Sequence, residues 1–217
     1  MTTLATPAKF RFLSDIIRHL GGIPPDRILF DPIPGTATKD DLIRVSELGD
    51  GIYELIDGTL MRKPVGYGEG YLGGIFFELL SVFTWAQRLG HVIGEATQLE
   101  YFGGQFMAAD VAYISFDRLP GRTRPTEPIP ALAPNLIVEV LSPGNTAAEM
   151  RRKRQEYFRS GVEVVWEVEP DLRIVNIYSD VDVFETFTRT DTISADPVVP
   201  GFTLSLPDLF ARWDYQA

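Results

Sequence analysis

The stretch PNLIVEVLSPGNTAAEMRRKRQEYFRSGVEVVWEVEP, residues 134–170, decides how the rest of the chain is read. Leu136 to Leu141 is an apolar, β-branched run with the length of a fully buried strand. Glu139 stands in its middle, and a carboxylate taken out of water there needs a paired cation, a metal or strong hydrogen bonds. Ser142-Pro143-Gly144-Asn145 ends the strand, Thr146-x-x-Glu149 has the form of a capping box, and Gly161 is a natural helix stop. The intervening helix carries Arg151, Arg152, Lys153 and Arg154, of which at most one or two can turn toward Glu139. Its spacing groups Glu149, Lys153 and Tyr157 on one face. Val162 to Val168 reads as the next strand, so the unit is a strand–helix–strand crossover of a mixed sheet.

Outward from this unit, two more acids enter apolar strands. In GIYELIDGTLMR, residues 51–62, Asp57-Gly58 signals a tight hairpin and puts Glu54 on the face of Ile52 and Ile56. A strand from Phe106 to Ser115 carries Asp110 just before Val111-Ala112-Tyr113-Ile114. Helices are expected at Phe10–Leu20, Lys39–Leu48, Tyr71–Leu89 and from Pro207 through Trp213. Further strands are expected over 91–102, 173–178, 183–188 and 203–206. Gly66 to Gly70 reads as a flexible turn, and Asp117 to Ala133 as a Pro-rich connection carrying Arg118, Arg122 and Arg124. The whole is a single α/β domain over 39–217, preceded by an N-terminal extension, 1–38, in which no site residue stands out.

Composition narrows the chemistry. The 217 residues contain no cysteine and only His19 and His91, which excludes thiol catalysis, disulfides and multi-histidine zinc sites. A metal site would have to be built from carboxylates and carbonyls, which suit magnesium, manganese or calcium. A formal net charge of −10 opposes nonspecific nucleic-acid affinity, although the cations cluster. No signal peptide, lipidation motif or membrane span is visible, so no membrane partner is expected and the cytoplasm is the expected compartment.

Glu54, Asp110 and Glu139, with a basic helix beside them, need a joint explanation. A divalent cation would offset their burial, acidify a bound water and stabilise charge on a phosphate oxygen, with a lysine close by. That chemistry is phosphodiester hydrolysis. The alternative is a structural network in which the acids bind backbone amides or an arginine such as Arg152.

From about Leu42 to Phe210 the sequence resembles the Uma-two family of restriction-endonuclease-like proteins in the PD-(D/E)xK nuclease superfamily. The resemblance rests on YELIDGTL at 53–60, ADVAYIS at 109–115 and APNLIVEVLSP at 133–143. It continues through Lys153, Tyr157, Gly161-Val162, VVWEVEPD at 164–171 and PGFTLSLPDLF at 200–210. It implies a restriction-endonuclease-like fold, a mixed central β-sheet flanked by α-helices, and a homodimeric endonuclease that cleaves DNA with Mg2+ or Mn2+. By the same resemblance Asp110 and Glu139 bind the metal, with the Val140 carbonyl as an extra ligand. Lys153 serves as the catalytic lysine because Leu141 fills that residue's usual slot. Glu54 matches a further metal ligand or orienting acid. Ala109 replaces the family proline, and Glu69 lies near the position of a histidine that many members carry.

The rival reading is a noncatalytic nuclease fold kept as a binding or oligomerisation module, favoured by the acidic net charge. A nuclease needs a positive groove around the acids, whereas the rival predicts a negative or closed surface. A glycosidase built on the same acids lacks any sign of a sugar platform. Among the remaining residues, Glu149 reads as a cap, Tyr157 and Trp166 as core, and Arg151 to Arg154 as a solvated helix face with one member in the site.

Overall fold

The crossover unit forms the centre of the fold. In the computed structural model, which describes residues 10–215, β7 (Leu136–Val140) and β8 (Val164–Glu169) pair in parallel and are joined by α4 (Ala147–Ser160). They lie within a six-stranded sheet completed by β3 (Gly90–Gly94), β6 (Val111–Ser115), β9 (Ile174–Asp180) and β10 (Val183–Thr188), in the order β10-β9-β8-β7-β6-β3. All its other pairings are antiparallel, so the sheet is mixed as expected. A second, antiparallel sheet has the order β2-β1-β5-β4, from β1 (Tyr53–Ile56), β2 (Thr59–Arg62), β4 (Leu99–Tyr101) and β5 (Gln105–Met107). A small ladder joins β11 (Thr192–Ser194) to β12 (Thr203–Ser205).

Side-chain alternation divides β7 between two cores. Val138 and Val140 pack with Leu72, Phe76 and Leu80 of α3 (Tyr67–Gln87) and Leu209 and Phe210 of α5 (Leu206–Trp213), and Trp166 is fully buried there. Ile137 faces the opposite side, toward Tyr157 of α4, Met61 of β2 and Leu20. Glu139 shares that second face, so α4 stands over it. Both ends of α4 follow local rules: the Thr146 hydroxyl accepts from the Glu149 amide at 3.0 Å, and Gly161 takes φ +97 to close the helix. Thr146→Ala is expected to cost about 1 kcal/mol in chemical denaturation, the usual worth of such a cap.

Two expected strands are broken. Residues 91–102 and 106–115 each leave one sheet and enter the other, so β3 is separated from β4 by Glu95–Gln98, and β5 from β6 by Ala108–Asp110. At these crossings the ladder lapses, which frees Glu95 and Asp110 from the strict alternation of a paired strand. The expected turn at 66–70 is instead the first part of α3. Glycines weaken a helix, but tertiary packing here needs them: a Cβ on Gly68 would lie 2.7 Å from the Trp213 ring of α5.

Residues 10–38, read from the sequence as an extension, share a core with the two sheets; residues 1–9 lie outside the described residues. Leu20 of the segment after α1 (Leu13–His19), together with Ile16, Ile23 and Ile28, joins the second core, while α2 (Lys39–Glu47) covers the four-stranded sheet. Gly21, at φ +89, approaches α4 so closely that a Cβ would lie 2.5 Å from the Glu149 nitrogen. Arg27 donates two hydrogen bonds to the Glu149 carboxylate, at 2.9 and 2.5 Å, and others to the carbonyls of Arg62 and Gly144. Glu149 is therefore a cap and also the partner of a buried arginine.

Candidate active site

The site lies where the two sheets meet beneath α4. Lys153, 2% exposed, projects from α4 between two carboxylates, with its ammonium 2.8 Å from Glu139 Oε1 and 3.1 Å from Glu54 Oε1. One turn later on the same helix face, Tyr157 donates to Glu139 Oε1 at 2.5 Å. Tyr157 is thus both core and site wall, with the Tyr101 ring tilted against it at 5.1 Å. Glu54 comes from β1, and its Oε1 also accepts from the Ala108 amide at 3.3 Å. Its Oε2 is buried without a hydrogen-bond partner.

Asp110 reaches the same place from the sheet crossing before β6. The β6–β7 register pairs Val111 with Val138, so Asp110 stands across from Glu139 one step beyond the ladder. Asp110 Oδ2 accepts from the Val140 amide at 2.5 Å, while Lys63 donates to Oδ1 at 2.6 Å. Lys63 also lies 3.9 Å from Glu95 Oε1. Asp110, Glu139, Lys153, Glu54 and Val140, the residues singled out in the sequence, are thus brought together. Lys63, Glu95 and Tyr101 join them unannounced. Lys63 could have been found from the hairpin: the two-residue turn pairs Glu54 with Met61, and Lys63 follows on that same face.

The other three cations of α4 are sorted by direction. Arg151 pairs with Asp182 at the surface, and Arg154 is buried against Glu167 with its guanidinium over the Tyr178 ring. Arg152 is half-buried, with Nε and Nη1 lacking partners.

Burial and charge act against each other here. Burial pulls the Lys153 ammonium toward neutrality, but Glu139 and Glu54 outweigh it and hold the pKa above the ordinary lysine value. Burial likewise raises Glu54, and Lys153 with Lys63 overcomes this and leaves it below the usual carboxylate range. For Glu139 burial prevails over Lys153 and Lys63, and its pKa is raised. The environment therefore pushes two carboxylates that share one ammonium in opposite directions. Because the folded pKa of Glu54 is depressed, its contribution to stability is present above the ordinary value near 4.5 and is lost as pH falls through the folded value. Glu54→Gln is expected to flatten the acid limb of stability in urea titrations from about pH 7 to about pH 3.

A cleft of about 400 Å³ opens onto Asp110. Glu69 and Glu95 line it with the backbone of Gly70, Gly73 and Gly74 at the start of α3. Among the described residues, no lysine or arginine lines this mouth. The donor set nevertheless fits a hard divalent cation, since all its groups are oxygens and one oxygen of Glu54 has no partner. Among the described residues no three Asp, Glu or His converge closely enough to hold a metal alone. Two carboxylates are enough for magnesium, which completes its shell with water and phosphate oxygens.

The comparisons with known proteins agree with this architecture. A crystal structure of "a putative nuclease belonging to DUF820" from Anabaena variabilis superposes with a TM-score of 0.65 at 20% identity, covering 74% of this chain and 90% of that one. That likeness establishes the restriction-endonuclease-like fold. No curated protein matches the chain. The Uma2 family, described as "Putative restriction endonuclease", matches residues 40–207, which carry β1, β6, β7 and α4 and with them every residue of the site, and the chain belongs to that family.

Proposed function

We propose that this protein is a divalent-metal-dependent nuclease that hydrolyses phosphodiester bonds in DNA, with Mg2+ or Mn2+ as cofactor. The observation that supports this best is the convergence of Asp110, Glu139 and Lys153 from a sheet crossing, a strand and a helix onto one buried point beside an open cleft. Asp110 and Glu139 would hold the metal. The Val140 carbonyl would add to the shell, because a strand residue's N–H and C=O leave the chain on the same side and its amide already points at Asp110. A metal in that position supplies a Lewis acid for a phosphoryl oxygen and an acidified water.

The chain's own groups supply the rest. Lys153 is held protonated, so its role is electrostatic: it stabilises negative charge on the reacting phosphate and does not abstract a proton. Glu54 acts through Lys153, fixing the ammonium from the side opposite Glu139. Gly70, Gly73 and Gly74 leave room for a phosphate backbone to approach α3. This reading includes a cytoplasmic homodimer, for which the sheet edge β3, beside exposed Trp85 and Val82, offers a pairing surface testable by sedimentation.

One observation favours the rival, noncatalytic reading: the mouth of the cleft carries Glu69, Glu95 and Asp110 and would repel phosphate. In the nuclease reading the charge of a metal held by Asp110 and Glu139 would offset that repulsion. Plasmid and oligonucleotide cleavage with Mg2+ or Mn2+ separates the two. Wild type should cleave, and Glu139→Ala should abolish cleavage while keeping the fold, since Lys153 retains Glu54 as its partner. Cleavage retained by Glu139→Ala would sink the assignment.

A further inference from the structure

We propose that Lys63 is an internal counter-cation that occupies the metal's seat on Asp110 and moves onto Glu95 when a divalent ion enters. This rests on the metal-dependent reading above and adds to it that metal binding is an exchange of one cation for another.

The two lysines of the site are held differently. Lys153 is wedged between Glu54 and Glu139 at 3.1 and 2.8 Å. Lys63 is buried and does not itself line the cleft, but it is bonded to Asp110 at 2.6 Å, with Glu95 already 3.9 Å away. Asp110 and Glu95 both line the cleft, so Lys63 bridges the two carboxylates that an arriving cation meets first. Its backbone is fixed by the hydrogen bond from its amide to the Ile52 carbonyl, and only the side chain has to swing. A flexible alkyl stem ending in three donors is suited to that change of partner.

Local charge favours the move. Glu54, Asp110, Glu139 and Glu95 face Lys63 and Lys153, leaving two net negative charges across the six groups, with Lys63 on the acid that would take the metal. A divalent cation held by Asp110 and Glu139 with Lys63 still on Asp110 would crowd two cations onto one shared carboxylate in a poorly hydrated place. Transfer of Lys63 to Glu95, whose side chain is 26% exposed, separates them and pairs an otherwise lysine-poor acid. The Asp110–Lys63 pair thus keeps the metal-free site neutral enough to fold and lowers its affinity for metal.

The test is titration of Mn2+, followed by the paramagnetic signal of the free ion and by calorimetry, into wild type, Lys63→Met, Lys63→Gln, Glu95→Gln and the Lys63→Met/Glu95→Gln double variant. Lys63→Met is expected to bind Mn2+ about tenfold tighter, within the usual range of coupling between sites, and to melt lower without metal. Lys63→Gln keeps a hydrogen-bond donor to Asp110 without the charge, and should bind tighter than wild type while folding more securely. Glu95→Gln should bind Mn2+ more weakly, and this effect should vanish in the Lys63→Met background, because Glu95 acts only by receiving the lysine. Wild type binding Mn2+ as tightly as both Lys63 variants overturns the exchange and leaves the metal site standing. Equal weakening by Glu95→Gln in both backgrounds makes Glu95 a direct ligand and also overturns it. Absence of Mn2+ binding in every variant overturns the exchange and the metal-dependent reading together.

Discussion

Lys153→Met is expected to remove cleavage altogether and to lower the unfolding free energy by about 3–5 kcal/mol, the range seen when one partner of a buried ion pair is deleted. Methionine fills nearly the same space, so the loss is electrostatic: Glu54 and Glu139 remain buried, with their shared ammonium gone. The sign of the pH dependence follows. In the variant the two carboxylates lose the main cation that opposes their burial, so their folded pKa values are expected to rise, and buried groups of that kind destabilise the fold when ionised. The deficit is therefore full at neutral pH and shrinks as pH falls toward the ordinary carboxylate range. Adding Glu54→Gln and Glu139→Gln to Lys153→Met should recover most of the stability and none of the cleavage. Urea denaturation at neutral and mildly acidic pH reads these outcomes. A deficit that does not depend on pH would mean that the variant fails through packing and not through charge.

Arg27→Ala is the second large effect, again about 3–5 kcal/mol by the same rule, although Arg27 does not line the cleft. Arg27 is 7% exposed and its guanidinium holds Glu149 bidentately, and Glu149 in turn caps the helix that carries Lys153 and Tyr157. Loss of Arg27 leaves a buried carboxylate uncompensated at the start of α4 and frees the carbonyls of Arg62 and Gly144. A double-mutant cycle with Glu149→Gln isolates the pair: the combined loss should be well below the sum of the two single losses. A cost below about 1 kcal/mol, as for an exposed pair, would show that the segment is not clamped to the domain through this contact.

The parts of the structure that were legible in the sequence are those fixed by local chemistry. Thr146, Glu149 and Gly161 delimit α4 through capping and a left-handed stop, and the four-residue spacing from Lys153 to Tyr157 puts both over Glu139. Asp57-Gly58 gives the hairpin and its register. That register also puts Lys63 on the Glu54 face, but Arg62-Lys63-Pro64 reads as a polar strand end, which hides a buried cation. Less legible were features decided between distant segments. Nothing local marks the points where 91–102 and 106–115 change sheets, because each stretch has the composition of one continuous strand. The glycines at the start of α3 look like a turn until Trp213 packs on Gly68. Arg27 meets Glu149 across 122 residues of sequence, and the cap that Glu149 visibly makes conceals its second partner.

The most direct measurement is calorimetric titration of Mg2+ and Mn2+ at neutral pH into wild type and into the Asp110→Asn/Glu139→Gln variant, repeated with a short DNA duplex whose phosphate oxygens can complete the shell. Saturable binding by wild type, lost in the variant, is the expected result. Binding of equal strength in both proteins, or none by wild type even with the duplex present, would contradict a carboxylate metal centre at Asp110 and Glu139.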